Sequence, residues 1–273
     1  MSWKNIAVHA DDAAGYEDRM KLAAQLAKMY DAQLVALHEE ATMSPGLYND
    51  PAMGPEYLER MNQLNRESYA NARRAFDEAL SDAGLTGQWR TLSRAMDTSM
   101  VELAFYHDLV ITGQTAPGSS GAAAEALLLG TGRPTLIVPH SGVSKTRFLR
   151  VMIAWMPTRQ ASRAVMDALP MLHNADDVTV VSIINSDAEL TRARDANQAL
   201  QDYLSTHGIE ARTRCEIGNK VDVPDILLSL ATDQQTDVIV MGAYGHSKLR
   251  ELVLGGTTRD ILAQMTVPIL MSH

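Results

Sequence analysis

The chain has 273 residues, 46% of them hydrophobic and 21% charged, enough for one large globular domain or two of ordinary size. A formal net charge of -9 argues against a nucleic-acid surface, which needs a basic patch. The single cysteine, Cys215, excludes a disulfide framework and a thiolate metal cluster and fits a reducing compartment, so a cytoplasmic location is expected.

The opening stretch MSWKNIAVHADD lacks the charged start and apolar core of an export signal, and no apolar run reaches the roughly 18 residues of a membrane span. Neither export nor membrane insertion is expected. KNIAVHA reads as a first strand, DRMKLAAQLAKMY as an amphipathic helix and AQLVALH as a second strand. A long helix then leads to GQWRTLS, followed by the strands DLVITG and RPTLIVP.

From RVMIAWM onward the series repeats. RQASRAVMDALPMLH answers the first helix, with Ala161, Val165, Ala168, Leu169 and Leu172 as its apolar stripe. DVTVVSII, IEARTRCEI, DVIVMG and TVPILM answer the remaining strands. Strand alternating with helix, the strands continuously apolar, is the pattern of a parallel sheet covered on both faces. The expected class is α/β, with two Rossmann-like five-stranded domains spanning 1-140 and 150-273 and the polar segment HSGVSKTRFL between them. Residues 41–55, ATMSPGLYNDPAMGP, have no counterpart after SIIN; a lid and a plain surface excursion are the two readings of so long a loop.

The stretch GAYGHSKLRELVLGGTT follows the run DVIVM, where ligands of open parallel sheets sit, at the carboxyl ends of strands. Gly242 and Gly245 would let backbone approach a ligand, and Gly255, Gly256, Thr257 and Thr258 introduce the helical run RDILAQM. Free N–H groups at a helix start attract anions and threonine hydroxyls add donors, so phosphate is the natural guest. Lys248 and Arg250 are left free for solvent or phosphate, and His246 is a candidate phosphate contact against the reading of a structural or solvent-facing histidine. The competing reading is that these glycines serve tight turning and close helix packing.

On these residues both halves resemble universal stress protein domains, and the chain resembles a tandem member of that family. The resemblance implies Rossmann-like domains paired through their last strands into an internal pseudo-dimer, and adenine nucleotide binding in one subset of members. ATP is the expected ligand, with ADP or AMP as alternatives and Mg as a possible companion. Two departures stand out in the second half: Gly256 replaces the hydroxyl residue that follows the last motif glycine, and Met156 replaces an aspartate that contacts the adenosine portion. The first half offers Asp11 at that place but separates Gly113 from Gly130 by 17 positions, against 13 between Gly242 and Gly255. Gly130 and Thr131 match the end of the motif, which leaves a degenerate second pocket as an option.

His9 and His38, with Asp11, Asp12, Glu39 and Glu40, are zinc-ligand types near the ends of adjacent strands, against the reading of a core histidine and solvated acids. No metal is expected. Cys215, inside a strand, reads as an inert thiol. There is no nucleophile elbow, Walker lysine or HExxH, and Asp11 and Asp260 are the only candidates for phosphotransfer chemistry. The expected function is a stress-response sensor or regulator that holds an adenine nucleotide in the second domain, with at most weak ATPase activity and with protein partners still to be identified. The alternative is a scaffold with degenerate pockets. Further pairing into a homodimer stays open.

Overall fold

The computed structural model describes residues 2–39, 55–92, 99–115, 123–143, 145–218, 223–243 and 256–273. The 41–55 insert, apart from the start of one helix, lies outside the described residues. The first half runs β1 (Asn5–His9), α1 (Tyr16–Tyr30), β2 (Gln33–Glu39), α2 (Pro55–Ala83), β3 (Gly87–Leu92), α3 (Met100–Ala104), β4 (Leu109–Gly113), α4 (Ala123–Gly130) and β5 (Thr135–Val138). The second runs β6 (Arg150–Ala154), α5 (Arg159–Leu172), β7 (Asp177–Ile184), a 3-10 turn over Asp187–Glu189, α6 (Leu190–Thr206), β8 (Arg212–Ile217), α7 (Val223–Asp233), β9 (Val238–Gly242), α8 (Gly256–Gln264) and β10 (Ile269–Ser272).

All ten strands form one sheet in the order β3-β2-β1-β4-β5-β10-β9-β6-β7-β8. Each half is parallel throughout, and the halves join where β5 and β10 pair antiparallel. Joining there covers two edges that would otherwise present unpaired backbone groups. The expected fold class and the pairing of last strands are both found. The pairing is nearly symmetric: Ile269 faces Ile137, Met271 faces Thr135, and Leu270 faces Leu136 between them. A pseudo-twofold axis therefore passes close to Leu136 and Leu270.

The repeat extends to individual hydrogen bonds. Asp108 accepts from the backbone N–H groups of Lys4 and Asn5 at 2.7 and 3.0 Å, pinning the start of β1. Asp237 does the same for Leu149 and Arg150 at 2.8 and 2.9 Å at the start of β6. The Ala10 N–H donates to Leu37 O and the Trp155 N–H to Val181 O, both at 2.8 Å. These registers make Asp11 and Met156 equivalent positions, and likewise Gly113 and Gly242, and Gln114 and Ala243.

Apolar side chains on both sheet faces drive the assembly. Ile6, Val8, Leu109 and Ile111 are wholly buried in one half, and Val151, Ile153, Val238 and Val240 nearly so in the other. Each is worth about 1.5–3 kcal/mol relative to exposure. One core crosses between the halves, containing Tyr30, Phe148 and Met171, and the Tyr30 hydroxyl donates to Pro170 O at 3.3 Å. A polar link crosses too. Buried Gln114 donates through Nε2 to Leu262 O and Ala263 O at the end of α8, at 2.8 and 3.1 Å, while its Oε1 accepts from the His140 N–H at 2.9 Å. Among the described residues no helix is long and apolar enough to cross a membrane.

Candidate functional site

In the second half β9 lies on one side of β6 and β7 on the other, so the strand order reverses at β6, and a crevice is expected there at the carboxyl ends of the strands. A cavity of about 580 Å³ occupies that crevice, inside the usual range for small-molecule sites, about 300–1,000 Å³. Its walls are mainly apolar: Trp155 and Met156 after β6, Ile183 on β7, Val223 and Leu227 on α7, and Met241 on β9. Polar groups sit at two places on the rim. Gly256, Thr257 and Thr258 begin α8, where the first N–H groups of a helix lack intrahelical partners. Asn185 and Glu189 follow β7.

Thr158 caps α5, accepting from the Ala161 N–H at 3.2 Å, and so fixes the helix that flanks the cavity. The indole N–H of Trp155 is buried without a partner among the described residues, an arrangement that costs about 1–3 kcal/mol. Sequence reading did not single out Trp155, Thr158, Asn185 or Glu189. The available signal was position, since WMPT follows β6 and NSDAE follows β7.

The expected glycines divide. A Cβ on Gly242 would sit 2.8 Å from Ala161 Cα and closer still to its backbone nitrogen, so Gly242 is required by the first turn of α5. Gly256 has no such constraint, its nearest neighbour being Asp260 Oδ2 at 3.9 Å. Gly256, Thr257 and Thr258 are brought to the cavity, with Thr258 buried and Thr257 exposed. Gly245, His246, Lys248, Arg250 and Gly255 lie outside the described residues.

The first half is built differently at the same place. Arg19, on α1, is fully buried against Gly113, where an added Cβ would strike its guanidinium, and it forms an ion pair with Asp11. Asp11 also lies 3.2 Å from His9 Nδ1 and accepts from the Ala13 N–H at 3.0 Å. Burial opposes the charge on Asp11, yet Arg19, His9 and that N–H outweigh it and hold the carboxyl below its ordinary range. His9 goes the other way: burial lowers its pKa to about 4, against the pull of Asp11.

The pairing of Gly113 with Gly130 and Thr131 is corrected by the structure. Gly113 ends β4 at the carboxyl edge of the sheet, whereas Gly130 is the last residue of α4, packed on Val101 near the opposite edge. Thr131 donates to Leu127 O and accepts from the Arg133 N–H, closing the helix end. The reason is that α4 is the alanine- and leucine-rich run before Gly130, while α8 follows its glycines. By register, Ala123 and Ala124 stand where Thr257 and Thr258 stand, so these two hydroxyls have no counterpart in the first half.

The zinc-ligand types are engaged locally. His38 is buried with Nδ1 2.7 Å from Ala10 O and its ring stacked on Trp89, and Asp12 accepts from the Ser68 hydroxyl at 2.7 Å. Among the described residues no three His, Cys, Asp or Glu side chains are grouped to hold a metal, and Glu40 lies outside them. Cys215 is partly buried beside Asn197 Nδ2 at 3.4 Å, and burial raises its pKa, which disfavours the thiolate.

Residues 148–273 match the model of the universal stress protein family. A universal stress protein of Synechocystis is 24% identical over 164 residues, 58% of this chain and 53% of that protein. The chain thus spans about half the length of this curated relative. The crystal structure of a universal stress protein from Archaeoglobus fulgidus superposes with a TM-score of 0.70 at 15% identity, covering 97% of this chain and 94% of that one. A second structure from A. fulgidus, in complex with dAMP, covers 45% of this chain and 95% of its own at 17% identity and a TM-score of 0.38.

Proposed function

We propose that residues 150-273 form a domain that holds an adenine nucleotide, ATP ahead of ADP or AMP, with Mg on its phosphates, and that binding serves sensing or regulation rather than efficient turnover. The observation that carries the reading is the crevice after β6 and β9, which joins apolar walls fit for a base to the start of α8, fit for phosphate. Gly256 gives no hydroxyl, but Thr257 and Thr258 follow it directly on the same rim. The orphan Trp155 donor is a further polar group that a ligand acceptor would satisfy.

A second reading applies to residues 1-140. With Arg19 and Asp11 neutralising each other at the equivalent place and alanines where the hydroxyls would be, this half acts as a diverged universal stress protein domain that meets protein partners rather than nucleotide. The chain as a whole is then a tandem member of its family, working in the cytoplasm. No catalytic residue is assigned, and ATPase activity is expected to be weak or nil.

Calorimetric titration of the nucleotide-stripped protein with Mg-ATP tests the reading. One site per chain is expected. In Thr257→Asp the added carboxylate favours the helix by about 0.3–1 kcal/mol but repels phosphate, so thermal stability should hold while affinity falls more than about tenfold, which is 1.4 kcal/mol. Absence of binding at millimolar Mg-ATP, or equal binding by Thr257→Asp, sinks it.

A further inference from the structure

The two polar rims of the cavity are chemically unlike and lie apart. Thr257 and Thr258 begin α8 and line the cavity with Gly242 at the end of β9, Glu189 and Asn185 follow β7, and β6 lies between β9 and β7. Two strand spacings, roughly 10 Å, therefore separate the strand ends beside which they lie. One rim offers N–H groups and hydroxyls. The other carries Glu189, the one carboxylate among the described residues lining the cavity, because Met156 stands where the first half has Asp11.

Glu189 is held at its rim, since its Oε2 accepts from the Asn185 N–H at 3.4 Å over the end of β7. An anion at the α8 rim must keep its distance from this carboxylate, which orients the ligand. With phosphate at α8 and the sugar against the end of β6, the outer edge of the base faces Glu189 and Asn185. A carboxylate accepts from an exocyclic amine and repels a carbonyl in the same position, and an asparagine side chain can pair with the adjoining amine and ring nitrogen of adenine.

We propose that Glu189, with Asn185, reads the position-6 substituent of a bound purine and selects the amine of adenine over a 6-oxo purine. The inference rests on the nucleotide reading above. It gives Glu189 a specificity role and no part in chemistry.

ATP and inosine triphosphate differ at that substituent and in the proton that the 6-oxo form carries on N1, so their affinities are compared by calorimetry on the whole chain and on Glu189→Gln. The wild type is expected to prefer ATP by about 5- to 150-fold, the ratio matching 1–3 kcal/mol per base contact. Glu189→Gln, whose amide also donates, should bring the ratio near unity by tightening inosine triphosphate as well as weakening ATP. A merely structural role would weaken both ligands alike, and a thermal melt of the exposed-site variant checks folding. An unchanged ratio overturns the role of Glu189 and leaves nucleotide binding intact; binding of neither ligand by the wild type overturns both.

Discussion

The ends of β1 and β6 are the same place in two copies of one fold, and they have been put to opposite uses. At the first, Asp11 pairs with Arg19 and His9, and the Arg19 guanidinium fills the space beside Gly113, its Nε buried without a partner among the described residues. At the second, the equivalents of His9 and Asp11 are Ala154 and Met156, and a cavity remains. Backbone topology supplies the crevice in both. What decides whether it stays open is a few side chains at strand ends, together with the residues that start the helix after the fourth strand.

The largest effect should come from breaking the closed site. Arg19→Met leaves Asp11, 30% exposed, without its buried counter-charge and should destabilise the fold by up to about 3 kcal/mol, read as a lowered denaturation midpoint. The double variant Asp11→Met, Arg19→Met, which copies Met156, should recover most of that, since a buried pair exchanged for apolar groups is often nearly neutral. A double variant as unstable as the single one would show that the pair does more than satisfy itself.

Acid should act on the closed site next. The folded pKa of His9 is about 4, below the roughly 6.5 of an unfolded histidine, so the unfolded chain binds the extra proton between those values. Stability is therefore full above pH 6.5 and falls by roughly 3 kcal/mol as pH drops through 4. The depressed Asp11 adds to the loss at still lower pH. In His9→Ala, which copies Ala154, denaturant melts from pH 4 to 8 should show this slope flattened.

The smallest contrast concerns the two glycines. Gly242→Ala drives a Cβ into the backbone of α5, whereas Gly113→Ala meets the end of a side chain. An overpacking cost of about 2 kcal/mol is expected at Gly242, and a smaller one at Gly113. Equal melting shifts would contradict it.

Much of this was legible in the sequence. The repeat and the parallel sheet of each half follow from apolar runs such as DLVITG and DVIVMG, the pattern of strands buried on both faces, and the joining of last strands from the resemblance those runs carry. The closed first site was not. The period of α1 puts Arg19 on the buried stripe of Leu22, Ala23, Leu26 and Tyr30, but an arginine ordinarily faces water, and its ion pair with Asp11 cannot be read from the helix alone. Gly130 misled for a related reason: a Gly-Thr pair opens a helix in one half and closes one in the other, and only the alanines from Ala123 onward, strong helix formers, tell which.

The bond from Gln114 to the end of α8 occurs once in the molecule. Between identical copies related by a twofold axis, every contact is made twice or not at all. Here Ala243, at the mirror position, has no amide to return it. Carrying both copies on one chain is what permits such one-sidedness, because each can then change at a position where its twin stays as it was. The chain is handed: a helix that borders the open cavity is held at its far end by the half whose own site is closed.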